Sequence, residues 1–115
     1  MQLSVERCPS YIIARTSGPL DESARDAFRA ELHPLVSEGG AKLILDLGDS
    51  PRINSPGISN LVALVADANS RDSRVVFCRI PAFIASVLNI TKLNTYFDIV
   101  GTLEEAIDRV QQPAK

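Results

Sequence analysis

Leu43-Ile44-Leu45-Asp46-Leu47 constrains this 115-residue chain more than any other stretch. Apolar residues over almost every position suit a central strand covered on both faces, because a strand with one wet face would alternate apolar and polar residues. The run is also far shorter than the roughly 20 residues needed to cross a bilayer. A strand of this kind requires helices packed above and below it, and the flanking sequence supplies them.

Upstream, Leu3 and Val5 alternate with polar neighbours, and Tyr11-Ile12-Ile13-Ala14-Arg15 is rich in strand formers, with Cys8-Pro9-Ser10 as the turn between. That pattern predicts a hairpin. From Asp21 the period lengthens: Ala24, Ala27, Phe28, Leu32, Leu35 and Val36 form one stripe of an amphipathic helix that Gly39-Gly40 ends, with Pro34 expected to kink or loosen its last turn. Downstream, Ile58, Leu61, Val62, Val65 and Ala68 form a second helical stripe, and Val75-Val76-Phe77-Cys78 a second buried strand. Phe83, Ile84, Val87 and Leu88 suit a short helix with Pro81 in its first turn. Phe97-Asp98-Ile99-Val100 makes the last strand, and Thr102-Leu103-Glu104-Glu105 opens a final helix with a capping box. The order is β-β-α-β-α-β-α-β-α, an α/β sandwich with a mixed sheet, an initial hairpin and four helices. Residues 1–112 form the expected single domain, and 113–115 a tail.

Charge and composition narrow the function. A net charge of −2 offers no basic footprint for nucleic acid, and an aromatic fraction of 5% without Trp offers no stacking platform. Cys8 and Cys78 stand far apart without a CxxC pattern, as in a chain kept in a reducing compartment. The opening MQLSVERCPS lacks a basic segment followed by an apolar one, so the expected location is the cytoplasm without membrane insertion.

The most informative segment joins the central strand to the second helix: Gly48-Asp49-Ser50-Pro51-Arg52-Ile53-Asn54-Ser55-Pro56-Gly57-Ile58. Ser55 reads as the N-cap and Pro56 as the first helical residue. Gly57 and Ser59 then leave the helix start uncrowded, open to close approach by another protein. A cap alone would explain Ser55. A hydroxyl at a helix N-terminus is also where a phosphate is tolerated, and Arg52 is near enough in sequence to pair with one.

Leu43 to Leu64, LILDLGDSPRINSPGISNLVAL, resembles the signature of STAS domains: an apolar strand ending in Asp, a short loop, then D/N-S-x-G-L/I opening a helix. Gly18-Pro19-Leu20-Asp21 is similar to the family's G-x-L-D, and Val87 to Ile107 resembles its ending. The resemblance covers nearly the whole chain. It implies an anti-sigma factor antagonist: a non-enzymatic protein that binds an anti-sigma factor acting as a serine kinase of the histidine-kinase-like ATPase type. Phosphorylation of Ser55 by that kinase would release the partner. The implied partner-binding residues are Asp21, Asp46, Arg52, Asn54, Ser55, Pro56, Gly57 and Ile58. Two positions depart from the usual antagonist pattern, with Asn54 where Asp is common and Pro56 where Ser or Ala is common. A second reading of the same fold is a constitutive scaffold subunit of a stress-signalling complex or a lipid-transport ABC system.

Other chemistry finds little support. A catalytic Ser-His-Asp set would have to join Ser55, His33 and Asp46, without the G-x-S-x-G elbow. There is no P-loop and no G-x-G-x-x-G after a strand, so no cofactor is expected. Asp46 and Asp49 lie near a strand end, where a metal site or a turn cap are both open; no metal is expected.

Overall fold

The computed structural model describes residues 1–112, so the expected tail at 113–115 lies outside the described residues. The chain begins with β1 (Gln2–Arg7) and β2 (Ile12–Ser17), an antiparallel hairpin whose turn is closed by the Cys8 amide donating to the Tyr11 carbonyl at 2.9 Å. There follow α1 (Ala24–Ala27), a π-helical turn (Phe28–Leu32) and α2 (His33–Ser37), which together form the first of four helical bodies. Next come β3 (Lys42–Asp49), α3 (Ser55–Ser70), β4 (Arg74–Cys78), α4 (Ala82–Ile90), a short turn of 3-10 helix (Leu93–Thr95), β5 (Asp98–Ile99) and α5 (Leu103–Gln111). The sheet order is β1-β2-β3-β4-β5, with β2 to β5 parallel and β1 antiparallel to its neighbour. This is the mixed α/β sandwich that the alternation of periods predicts.

Leu43 to Leu47 are all buried, as expected for a strand with two covered faces. Alternate residues serve different cores. Leu43, Leu45 and Leu47 join Phe28, Leu61, Leu64, Ile84 and Phe97 in the larger core beneath α1 to α4. Ile44 joins Ile13, Val76, Ala106 and Val110 beneath α5. Phe77 stacks on Phe97 with ring centroids 4.8 Å apart, closing the β5 end of the larger core.

Three sequence expectations change. The first helix is not a regular α-helix loosened in its last turn: its deviation is the π turn ahead of Pro34. Pro34 has no amide proton, and its ring would press on the carbonyl four residues back. The widened turn relieves this by letting the His33 amide reach back five residues to Phe28. Pro81 is the N-cap of α4 in extended conformation, ahead of the first turn. The last strand shortens to Asp98–Ile99, because the Phe97 amide bonds back to Leu93 and leaves the ladder. The capping box on α5 forms as expected: Thr102 Oγ1 accepts from the Glu105 amide, and Glu105 accepts from the Thr102 amide.

Candidate functional site

Two loops leave the C-terminal ends of β2 and β3 side by side, and together they build the corner from which α3 starts. The β2–β3 register slips between Arg15 and Ser17. At the slip, the buried Thr16 hydroxyl meets the buried Ser50 hydroxyl at 2.6 Å, which ties the roots of the two loops. Beyond it, the Gly18 amide donates to Asp49 at 3.0 Å, the Leu20 amide to Arg52 at 2.8 Å, and the Asn54 amide to Leu20 at 3.1 Å. Leu20 and Ile53 form an isolated parallel bridge. Gly18 takes a φ of +83°, the left-handed region open to glycine, and so lets the chain turn into this pairing.

That ladder decides where the helix begins, and it corrects the reading of Ser55 as the cap. Asn54 is extended (φ −120°, ψ −176°) and its side-chain carbonyl accepts from the Gly57 amide at 3.1 Å, so Asn54 is the N-cap. Ser55 is the first helical residue and Pro56 the second. Both Asn and Ser make good caps, but the Asn54 amide is already held by Leu20, which keeps Asn54 extended. Ser55 is exposed, and among the described residues its hydroxyl has no hydrogen-bond partner. Pro56 and Arg52 are exposed too, while Ile58 is half-buried against the larger core.

Gly57 also has a different role from the one expected. It is buried, and a Cβ on it would collide with the Leu20 carbonyl oxygen and come within 2.7 Å of the Leu20 carbonyl carbon. The backbone that approaches Gly57 belongs to this chain. Around the corner, the Asn54 side-chain amide reaches Glu22 at 3.4 Å and the Asn60 side-chain amide reaches the Asp21 carbonyl at 3.4 Å. Asp21 accepts from the Ser23 hydroxyl and from its amide at 2.9 Å, and these bonds hold its carboxyl below the usual range.

Asp46 lies apart from this corner. It is on the α5 side of β3 and is only 2% exposed. Its carboxylate accepts from the Gly48 amide at 2.8 Å and from Arg79 at 3.2 Å, with Arg15 Nε 3.7 Å away. The Arg79 guanidinium lies flat on Gly48, where a Cβ would come within 2.6 Å of its central carbon. Asp46 thus faces the chain's own arginines and fixes the root of the loop that leads to Ser55. Beside it, burial and this carboxylate push the Cys78 thiol up to about 11.

Among the described residues no Ser-His-Asp set is assembled. The His33 Nδ1 lies 2.9 Å from Asp67, an acid not evident from the sequence around His33. Asp67 sits twelve residues along α3 from Ser55, about 18 Å at helical rise. Among the described residues no three His, Cys, Asp or Glu side chains converge to hold a metal, and no helix is long and apolar enough to cross a membrane.

Comparison with known proteins agrees with this architecture. The family model described as STAS domain matches residues 2–106. A Bordetella bronchiseptica protein, named as a candidate anti-sigma factor antagonist, BtrV, is 23% identical over 92% of this chain and 91% of its own length. The crystal structure of a candidate anti-sigma factor antagonist from Thermotoga maritima superposes with a TM-score of 0.85, covering 96% of this chain and 95% of that one at 18% identity. The Bacillus cell fate determinant SpoIIAA, solved in its phosphorylated form, gives a TM-score of 0.73 over 96% of this chain and 100% of that one at 20% identity. At these identities the two structures speak for the fold.

Proposed function

The chain belongs to the STAS domain family, and from that premise we propose that it is an anti-sigma factor antagonist-like regulator switched by phosphorylation of Ser55. The observation that carries the reading is the state of Ser55: an exposed, unbonded hydroxyl on the first turn of a helix that its own neighbours hold in place. The naming of the Bordetella relative as a candidate antagonist supports the same reading.

The partner is an anti-sigma factor that doubles as a serine kinase of the histidine-kinase-like ATPase type. It docks on Asp21, Arg52, Asn54, Ser55, Pro56 and Ile58, with Gly57 seating the start of α3 from beneath and Asp46 fixing the root of the loop from the other face of the sheet. The kinase supplies ATP, a divalent metal and a base. The Ser55 Oγ attacks the γ-phosphorus, the bond to ADP breaks, and the hydroxyl proton passes to the kinase's base. This chain contributes the nucleophile and the docking surface, acts as substrate and not as enzyme, and works in the cytoplasm.

Electrostatics give the switch its direction. Asp21 and Arg52 line one hollow at the corner, and Asn54 reaches Glu22 beside it. The Met1 ammonium lies close to Asp21 through Ser23, so the charges there nearly balance before any modification. A phosphate adds about 1.5 to 2 further negative charges. The N-terminus of α3 tolerates that charge, so the fold persists. A partner fitted to a neutral hydroxyl meets bulk and repulsion, and leaves.

The test uses the purified chain, the kinase and ATP. Wild type binds and takes one phosphate; Ser55→Ala binds and takes none; Ser55→Asp binds weakly. Partner binding by Ser55→Asp equal to that of wild type would sink the switch and favour a constitutive scaffold.

A further inference from the structure

The two helices beside the Ser55 corner are nearly free of charge. The 16 residues of α3 and the 9 of α4 contain one ionisable side chain, Asp67. The 9 residues of α5 contain four: Glu104, Glu105, Asp108 and Arg109. The outward side of α4 is uncharged and carries an apolar stripe beside the exposed Ser86 and Asn89. Phe83 is 50% exposed and Ile90 79% exposed, and the half-buried Val87 stands between them at helical spacing. Single exposed apolar residues need no explanation, but an aligned, uncharged stripe marks an interaction surface.

Its position identifies the occupant. Phe83 closes a hollow of about 320 Å³ whose other walls include Leu20, Asp21, Arg52 and Asn54. Asn54 is the cap of the helix that carries Ser55, so the α4 stripe continues directly from the proposed switch surface. Between them the outer side of the first turns of α3 presents Ser55, Pro56 and Ser59, all small, uncharged and exposed. A protein centred on Ser55 reaches Phe83 across the hollow, whose charged walls are Asp21 and Arg52.

We propose that the partner docking at Ser55 is anchored by Phe83, with Val87 and Ile90 extending the contact, and that it seats an apolar side chain in the hollow beside Phe83. This rests on the reading that the Ser55 corner receives a protein. The two regions then divide the work: the apolar stripe holds the partner, and the charge state of Ser55 decides whether it stays. Aromatic anchors in pockets commonly dominate such interfaces.

The experiment measures binding and phosphate transfer with the kinase that phosphorylates Ser55, using the full chain. Phe83→Ala and Ile90→Asp are each expected to weaken binding by about tenfold or more. They should raise the KM for phosphorylation of Ser55 and leave kcat unchanged. Arg29→Ala, on the charged outer side of the first helical body, should change neither. Both variants alter exposed residues, and thermal unfolding like that of wild type checks that they fold. Wild-type binding by both variants overturns the anchor while leaving the Ser55 switch standing. If wild type itself neither binds nor accepts phosphate from any such kinase, the switch and the anchor fall together. A wild-type dimer in sedimentation that Ile90→Asp dissociates would assign the stripe to a second copy of the chain and also overturn the proposal.

Discussion

Gly57 lies so close beneath the Leu20 carbonyl that no side chain fits between them. This contact, made between the start of α3 and the loop after β2, is what the glycine of the N-S-P-G segment serves. It joins two stretches 37 residues apart, both of them carrying family-like motifs, into one corner.

Replacing Gly57 with Ala should therefore disturb more than one helix turn. A Cβ must push the Leu20 backbone or α3 aside, and overpacking of this kind costs about 1–3 kcal/mol. Thermal unfolding should fall by roughly 4 °C per kcal/mol lost. A melting temperature equal to that of wild type would show that the corner yields without cost.

Asn54 closes α3 through its bond to the Gly57 amide. Asn54→Ala should cost about 1 kcal/mol, whereas Asn54→Asp keeps the acceptor and suits the positive end of the helix, leaving stability close to that of wild type. Urea midpoints of the two variants measure the difference. Equal losses in both would mean that the cap contributes nothing.

Substitutions at Ser55 should behave in the opposite way. Its side chain is exposed and, among the described residues, unbonded. Ser55→Ala and Ser55→Asp are expected to stay within about 0.5 kcal/mol of wild type in urea unfolding. A larger loss would make any binding defect in Ser55→Asp a folding defect.

Cys78 predicts an alkaline limit. Its thiol is raised from an ordinary 9.0 to about 11, first by burial and then by Asp46. Between those values the unfolded chain loses the thiol proton and the folded chain keeps it, so rising pH favours unfolding. The contribution is complete below pH 9 and gone above about 11. Urea unfolding from pH 9 to 11 should decline more steeply for wild type than for Cys78→Ala; parallel curves would remove Cys78 as the cause.

His33 and Asp67 pin α2 to α3 at a part-buried contact of 2.9 Å. A double-mutant cycle of His33→Ala and Asp67→Ala should return a coupling of about 0.5–1.5 kcal/mol. Additive losses would leave the pair as neighbours without mutual stabilisation.

The sequence patterns made most of the fold legible, because burial on one or two faces leaves a period. The hairpin, the doubly covered strand Leu43–Leu47 and the capping box at Thr102 are all readable that way. What could not be read depends on contacts between distant segments. Asn54 outcompetes Ser55 as cap because Leu20 holds its amide. Gly57 is needed because Leu20 lies over it, and Asp46 is silenced by Arg15 on β2 and Arg79 just after β4. The N-S-P-G spacing did carry a partial signal, since an Asn three residues ahead of a glycine amide is good capping geometry. The π turn had one clue, Pro34, which marked the deviation without fixing its side. The exposed Phe83 had none, because a helical stripe alone does not reveal which apolar residues the core leaves uncovered.

The ladder from Gly18 to Asn54 has a consequence for how information leaves this molecule. Every backbone bond that fixes the start of α3 comes from the neighbouring loop or from Asn54, and none from the Ser55 side chain. A covalent mark on Ser55 therefore has no hinge to pull and no lid to release. On the proposed switch, the unmodified and phosphorylated chains should overlay at this corner and differ only in the label they display. A phosphate placed there would be a mark on a fixed contour, and any rearrangement would fall to the protein that reads it.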